Sequence, residues 1–280
     1  MNSAKRHKVL YALGFYDSRI HGTDIWCELD KRNKVHEEVI VNISELANKF
    51  GIRLLIVKTL KFPGYIPDDI DILVIDDPKP LIEELLKRGY FIRKIGTPEI
   101  TLRTYVNNLY IDLDIHRRMA AGAYEYIDKY YLWSRRIYRK VMDVEVPTPN
   151  KIDELLITAA HAVLKELQIT LSDIVHYMYH IVHTSCFVRS VIRQAHTLGL
   201  GKPVSLLTHL SKSLLRSALL DKDVLELKFP VKVPPQSLLG GYIENIKFRV
   251  CRQGLRPLSE FFRFPSSKGI SRLLEYIKPW

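Results

Sequence analysis

The chain is 280 residues long and 47% hydrophobic, and 42 Lys+Arg against 31 Asp+Glu give it a formal net charge of +11. That length and apolar content fill one large core or two ordinary ones and exclude a disordered or fibrous chain. Cys27, Cys186 and Cys251 lie far apart with no CxxC pair, the opening MNSAKRHKVLYALGFYDSRIHG is broken by charges, and no stretch reaches about 18 uncharged apolar residues. A disulfide framework, a cysteine-based zinc site, a signal peptide and a membrane span are therefore not expected, and a reducing cytoplasm is.

Segment 34–50 has apolar residues at helical spacing and stops at Gly51, a residue suited to the left-handed C-cap, so a helix is expected there. Ile52 to Val57 is a continuous apolar run that reads as a strand buried on both faces. A loop with Pro and Gly leads to a second strand, Asp69 to Ile75, its expected sheet neighbour. Pro78 and Pro80 open the amphipathic LIEELLKRG, which Gly89 ends, and YFIRKI begins another strand. Glu99 to Tyr105 and Leu109 to His116 flank Asn107-Asn108, whose tolerance of positive φ predicts a tight hairpin.

From Ala120 the pattern reads as helical nearly throughout: AGAYEYIDKYYLW, KIDELLITAAHAVLKEL, LSDIVHYMYHIV, FVRSVIRQAHTLG and PVSLLTHLSKSLLRSALL. The Pro-containing VMDVEVPTPN reads as a hinge and Gly240-Gly241 as a turn. The expected organisation is α+β, a small mixed β-sheet domain with flanking helices over residues 1–146 and a basic, mainly helical domain over 147–280. Charge is uneven, since residues 151–280 hold 18 Lys+Arg against 10 Asp+Glu. Such an excess attracts polyanions, although a solvated basic face has the same composition.

Chemistry concentrates in the two acidic strands. Each sets two carboxylates two residues apart, Asp69 with Asp71 and Asp112 with Asp114, and strand periodicity puts each pair on one face. Carboxylates gathered in an apolar strand are costly without a cation, and oxygen donors alone suit Mg²⁺ or Mn²⁺. Two carboxylates on one strand and a third on its neighbour, Asp114 or Asp112, make the minimal cage for metal-assisted phosphoryl transfer. His161 and Lys165 share a helix face that could look toward a cleft, although the apolar surroundings ITAAHAVL favour a core histidine. His176, His180 and His183 form a polar stripe without a Glu or Cys at motif spacing. Tyr124, Tyr126, Tyr130, Tyr131 and Trp133 crowd near Arg117, Arg118, Arg135, Arg136 and Arg139. That mixture either packs a core or stacks bases. The basic tail from Lys247 to Lys278 poses the same choice between a solvated face and a nucleic-acid contact.

DDIDILV after a strand, a helix ending near RGY and a hairpin closing on DLDIHRR together resemble the polymerase-β-like nucleotidyltransferase superfamily. More narrowly they resemble a poorly characterised family with DIDLLV and D-hydrophobic-H motifs, over residues 50 to 180. The resemblance implies transfer of a nucleoside monophosphate from an NTP, with Asp69, Asp71 and Asp114 as catalytic metal ligands, Asp112 as the weaker third ligand, and His116 beside Asp114. The superfamily usually has a Gly-Ser or Gly-Gly turn before the first carboxylates to cradle phosphate; this chain reads VKTLKFPGY, so Lys58, Thr59 and Lys61 are the expected substitutes for nucleotide binding. RNA, tRNA among them, is the expected acceptor, a protein the next and a small hydroxyl compound the last. The rival expectation is an inactive module of the same fold that binds nucleic acid or a protein partner. A toxin paired with an antitoxin would have the same sequence features.

Overall fold

The structure, a computed structural model, describes residues 11, 21, 23–96, 98–121, 124–181, 185–219 and 231–253. His183 and the tail beyond Gln253 lie outside the described residues. The chain divides into two compact units, one of residues up to Met119 with Asp128–Asn150, the other of Ala120–Ile127 with the described residues from Lys151 onward. The sequence reading put the division at 146/147 and left 120–127 with the first part.

In the first unit, α1 (Asp24–Lys49) runs into β1 (Leu54–Val57), β2 (Asp69–Val74), α2 (Lys79–Lys87), β3 (Phe91–Ile95), β4 (Glu99–Val106) and β5 (Leu109–His116). Thr23 caps α1 by accepting from the Trp26 N–H, and Gly51 follows the helix at φ +64°. The five strands form one sheet in the order β1-β2-β5-β4-β3, in which β2 and β5 are parallel and the other neighbours antiparallel. Asn107 and Asn108 turn the β4–β5 hairpin at φ 49° and 65°, as their side chains predict.

Alternation divides the sheet's faces. Ile70, Ile72 and Val74 of β2, Ile111, Leu113 and Ile115 of β5, and Ile100 and Leu102 of β4 join Val39, Ile40 and Ile43 of α1 and Leu81 and Leu85 of α2 in one core. The residues between them on β2, β4 and β5, chiefly polar, fall on the opposite face. β3 is exposed along its whole length, as an edge strand can be.

The helical reading from Ala120 is corrected in its first 30 residues. Met119–Ala121 (β6) pairs with Tyr124–Ile127 (β7), a short helix α3 (Lys129–Ser134) follows, and Ile137–Val141 (β8) pairs with Val144–Thr148 (β9) where a hinge was expected. The period of burial decides the matter: Tyr124 and Tyr126 are buried while Glu125 between them is not. Tyr124 Oη donates to Asn245 Oδ1, and Arg249 donates to the Glu125 carbonyl with its guanidinium 5.3 Å from the Tyr124 ring. These bonds seat β7 within the second unit.

That unit continues with α4 (Lys151–Ala160), a π-helical segment (His161–Lys165), β10 (Gln168–Ile169), α5 (Leu171–Ile181), α6 (Ser185–Thr197), α7 (Gly201–Leu219), β11 (Val231–Lys232) and α8 (Pro235–Gln253). Gly240 and Gly241 lie inside α8 and do not form a turn. A Cβ on Gly241 would stand 3.3 Å from Leu164 Cδ2 and 3.4 Å from Pro203, so the residue permits close helix packing. No helix among the described residues is long and apolar enough to cross a membrane.

One buried group makes the first unit acid-sensitive. His36 of α1 is 2% exposed, neither ring nitrogen has a hydrogen-bond partner among the described residues, and burial pushes its pKa down to about 3 with help from the Arg32 charge. Its folded pKa is lower than its unfolded value of about 6.5, so its contribution to stability is present above that value and is lost as pH falls toward the folded one. His36→Leu should therefore remove about 2 kcal/mol of the stability difference between pH 6.5 and pH 5, measured by urea denaturation at each pH.

Candidate functional site

The parallel pairing of β2 with β5 sets the site. Its register matches Asp69 with Asp112 and Asp71 with Asp114, so four carboxylates occupy one face of two hydrogen-bonded strands. The antiparallel partner β4 adds Arg103 opposite Asp112, Thr101 opposite Asp114 and Glu99 opposite His116.

These neighbours sort the carboxylates. Asp112 accepts from Arg103 Nε and Nη2 at 2.6 and 2.9 Å and from Arg93, and although burial pushes its carboxyl up, the guanidiniums outweigh that and hold it below the ordinary range. Asp114 accepts from Thr101 Oγ1 at 2.6 Å, and burial followed by the Asp71 charge raises its carboxyl pKa. Asp71 is the most enclosed. Lys58 Nζ lies 2.5 Å and His116 Nε2 2.7 Å from its Oδ1, and His116 Nδ1 lies 3.4 Å from Glu99 Oε2. Burial works to raise the Asp71 carboxyl, but the Lys58 charge and His116 together pull it well below the carboxylate range. Asp69 sits half-buried at the start of β2, where Arg32 of α1 donates to the preceding Asp68 carbonyl at 3.1 Å.

The turn that delivers Lys58 contains no glycine. Thr59 N–H donates to the Val57 carbonyl at 2.6 Å, closing a three-residue turn around Lys58, whose φ of 58° is left-handed. Such a conformation costs a β-carbon residue on the order of 1–2 kcal/mol and persists when neighbours over-determine it. Here they do. The Lys58 ammonium pairs with Asp71, while Thr59 Oγ1 accepts from the Asp71 N–H at 2.9 Å and donates to the Val57 carbonyl at 3.0 Å. The Thr59 hydroxyl expected for phosphate is thus engaged in building the turn. Lys61 Nζ lies 5.2 Å from the Tyr65 ring centroid.

One ligand atom from each of Asp71, Asp114 and His116 lies within 4.8 Å of the others. Two neighbouring carboxylates, one raised by burial and then by the other's charge, fit a hard divalent cation such as Mg²⁺ or Mn²⁺, with Asp69 on the same face. His161 and Lys165 belong to the π-helical segment of the second unit, with His161 Nε2 3.4 Å from Glu166 Oε1. Glu99, Thr101 and Arg103 were missed in the sequence, although their alternation with Ile100 and Leu102 marks them as one polar face.

A family model described as an uncharacterised nucleotidyltransferase matches residues 66–216. Among solved structures, that of the antibiotic-resistance factor ANT(2'')-Ia is similar at 14% identity and a TM-score of 0.36, over 68% of this chain and 96% of that one. An antigenic nucleotidyltransferase-like protein from Paracoccidioides brasiliensis is similar at 12% identity and a TM-score of 0.39, over 70% and 93%. A tRNA nucleotidyltransferase complexed with a primer tRNA and an incoming ATP analog is similar at 11% identity and a TM-score of 0.23, over 85% and 87%. No curated protein matches.

Lys58 and Asp71 side chains are only 10% and 7% exposed, so removing one partner leaves a buried charge. Lys58→Met should cost about 3–5 kcal/mol by urea denaturation, and Asp71→Asn added to it should restore most of the loss.

Proposed function

The chain belongs to the family of uncharacterised nucleotidyltransferases, and from that premise we propose that it is an active enzyme moving a nucleoside monophosphate from an NTP to an acceptor hydroxyl. The observation that carries the reading is the register pairing of Asp71 with Asp114, which concentrates negative charge where a cation-bound triphosphate would need it. Asp71, Asp114 and Asp69 would hold Mg²⁺ or Mn²⁺, which when bound supplies charge neutralisation of the phosphates and acidification of the attacking hydroxyl.

The chain's own residues have separate tasks in this reading. Lys58 contributes a fixed positive charge beside Asp71, and Lys61 meets the outer phosphates. Thr59 holds the turn through its hydroxyl. His116, itself against Glu99, orients Asp71, and Asp114, held by the Thr101 hydroxyl, receives the proton of the acceptor hydroxyl. Asp112 is a structural anion of the sheet, held by two arginines.

RNA is the preferred acceptor class, tRNA included, ahead of a protein. The basic second half supports it. So do cation–ring pairs in the first unit, with the Arg136 guanidinium 3.9 Å from Trp133 and 5.7 Å from Tyr138, and Arg135 5.2 Å from Tyr131. A second reading, an inactive module of the same fold, is favoured by the Lys58 ammonium lying on Asp71 where a metal would compete with it.

Incubation with each α-labelled NTP, Mg²⁺ or Mn²⁺, total RNA and total protein separates these readings. Label should enter RNA, and Asp71→Asn and Asp114→Asn should each lower incorporation about 10³-fold or more at a temperature where circular dichroism shows the variant still folded, the Asp71→Asn variant melting earlier because Lys58 loses its partner. Incorporation that survives both substitutions would sink the mechanism.

A further inference from the structure

The second unit holds a donor set of a different kind. His176 and His180 are one turn apart on α5, and Glu154 reaches them from α4, the carboxylate that the sequence does not place at any motif spacing. One ligand atom from each of the three lies within 4.8 Å of the other two, and the residues are 0%, 7% and 6% exposed. The imidazole rings stand nearly perpendicular, at 88°, with centroids 4.9 Å apart. Leu155, Ile174 and Tyr177 beside them in sequence are buried, with the Tyr177 hydroxyl donating to the Leu155 carbonyl at 2.7 Å.

We propose that Glu154, His176 and His180 form a transition-metal site, with zinc as its ion, that links α4 to α5. A buried carboxylate beside two imidazoles offers one ion a nitrogen-rich donor set, unlike the sheet's group of two carboxylates and a single imidazole. Imidazole selects borderline ions such as zinc over Mg²⁺ or Ca²⁺. Zinc bonds such atoms at about 2.0–2.2 Å, so donors already within 4.8 Å enclose one ion after side-chain rotation, leaving a fourth position for water. An i,i+4 histidine pair with a carboxylate from a second helix is a common zinc geometry. Binding there stabilises the unit, because the donors converge only when α4 and α5 are packed. The site is independent of nucleotide transfer and stands or falls apart from it.

Tag-free full-length protein, equilibrated with zinc alone and desalted, should retain about one equivalent, and its thermal midpoint should fall when a chelator removes the ion. X-ray absorption of that zinc form should show two imidazoles and one carboxylate, a shell that the Asp71, Asp114 and His116 group with its single histidine cannot give. His176→Gln, His180→Gln and Glu154→Gln should each weaken zinc binding about 10²-fold or more, while the Asp71→Asn, Asp114→Asn double variant keeps it. Failure of the wild-type protein to retain zinc, a shell with fewer than two imidazoles, or loss of zinc in the Asp71→Asn, Asp114→Asn variant would overturn the proposal. The absorption measurement needs no variant and decides the matter even where a substitution prevents folding.

Discussion

Two carboxylates at one register of adjacent parallel strands repel each other, and the first unit is arranged around that repulsion. Asp71 stays ionised in a buried position because Lys58 and His116 converge on one of its oxygens, and Asp114, left with a hydroxyl for company, takes up the cost as a raised proton affinity. The strained turn at Lys58 follows from the same demand. A left-handed lysine is unfavourable alone, yet here its ammonium reaches Asp71 and the next residue's hydroxyl caps the Asp71 N–H. Asp112 shows the opposite solution, in which two guanidiniums neutralise the charge and leave no demand for a metal.

This arrangement bears on how the departure at VKTLK is understood. The resemblance implies a Gly-Ser or Gly-Gly turn before the first carboxylates; this chain has Lys58-Thr59 there, with lysine in the left-handed position. A lysine there sets a positive charge beside Asp71 in place of a glycine turn's backbone amides.

Much of the first unit was legible because strand periodicity and turn chemistry are local. The acidic alternation, the Asn107-Asn108 turn and the glycines after α1 and α2 carry their geometry in adjacent residues. The choice of Asp114 over Asp112 was only half legible, since it depends on Arg93 and Arg103 from β3 and β4. Residues 120–148 were misread because closely spaced aromatics satisfy both the helical and the strand period, and the tie is broken by Asn245 and Arg249, more than 100 residues away. The Lys58 turn gives no glycine signal, being imposed by Asp71 thirteen positions later. The Glu154, His176 and His180 set was invisible for the same reason, its third member arriving from another helix.

The account rests on Asp71 and Asp114 creating a demand for a divalent cation that also recruits a nucleotide. Calorimetric titration of ATP into the protein with and without Mn²⁺ tests this most directly. The account predicts ATP binding that requires Mn²⁺ and disappears in Asp71→Asn. ATP binding of equal strength with and without metal, or no binding in either case, would contradict it.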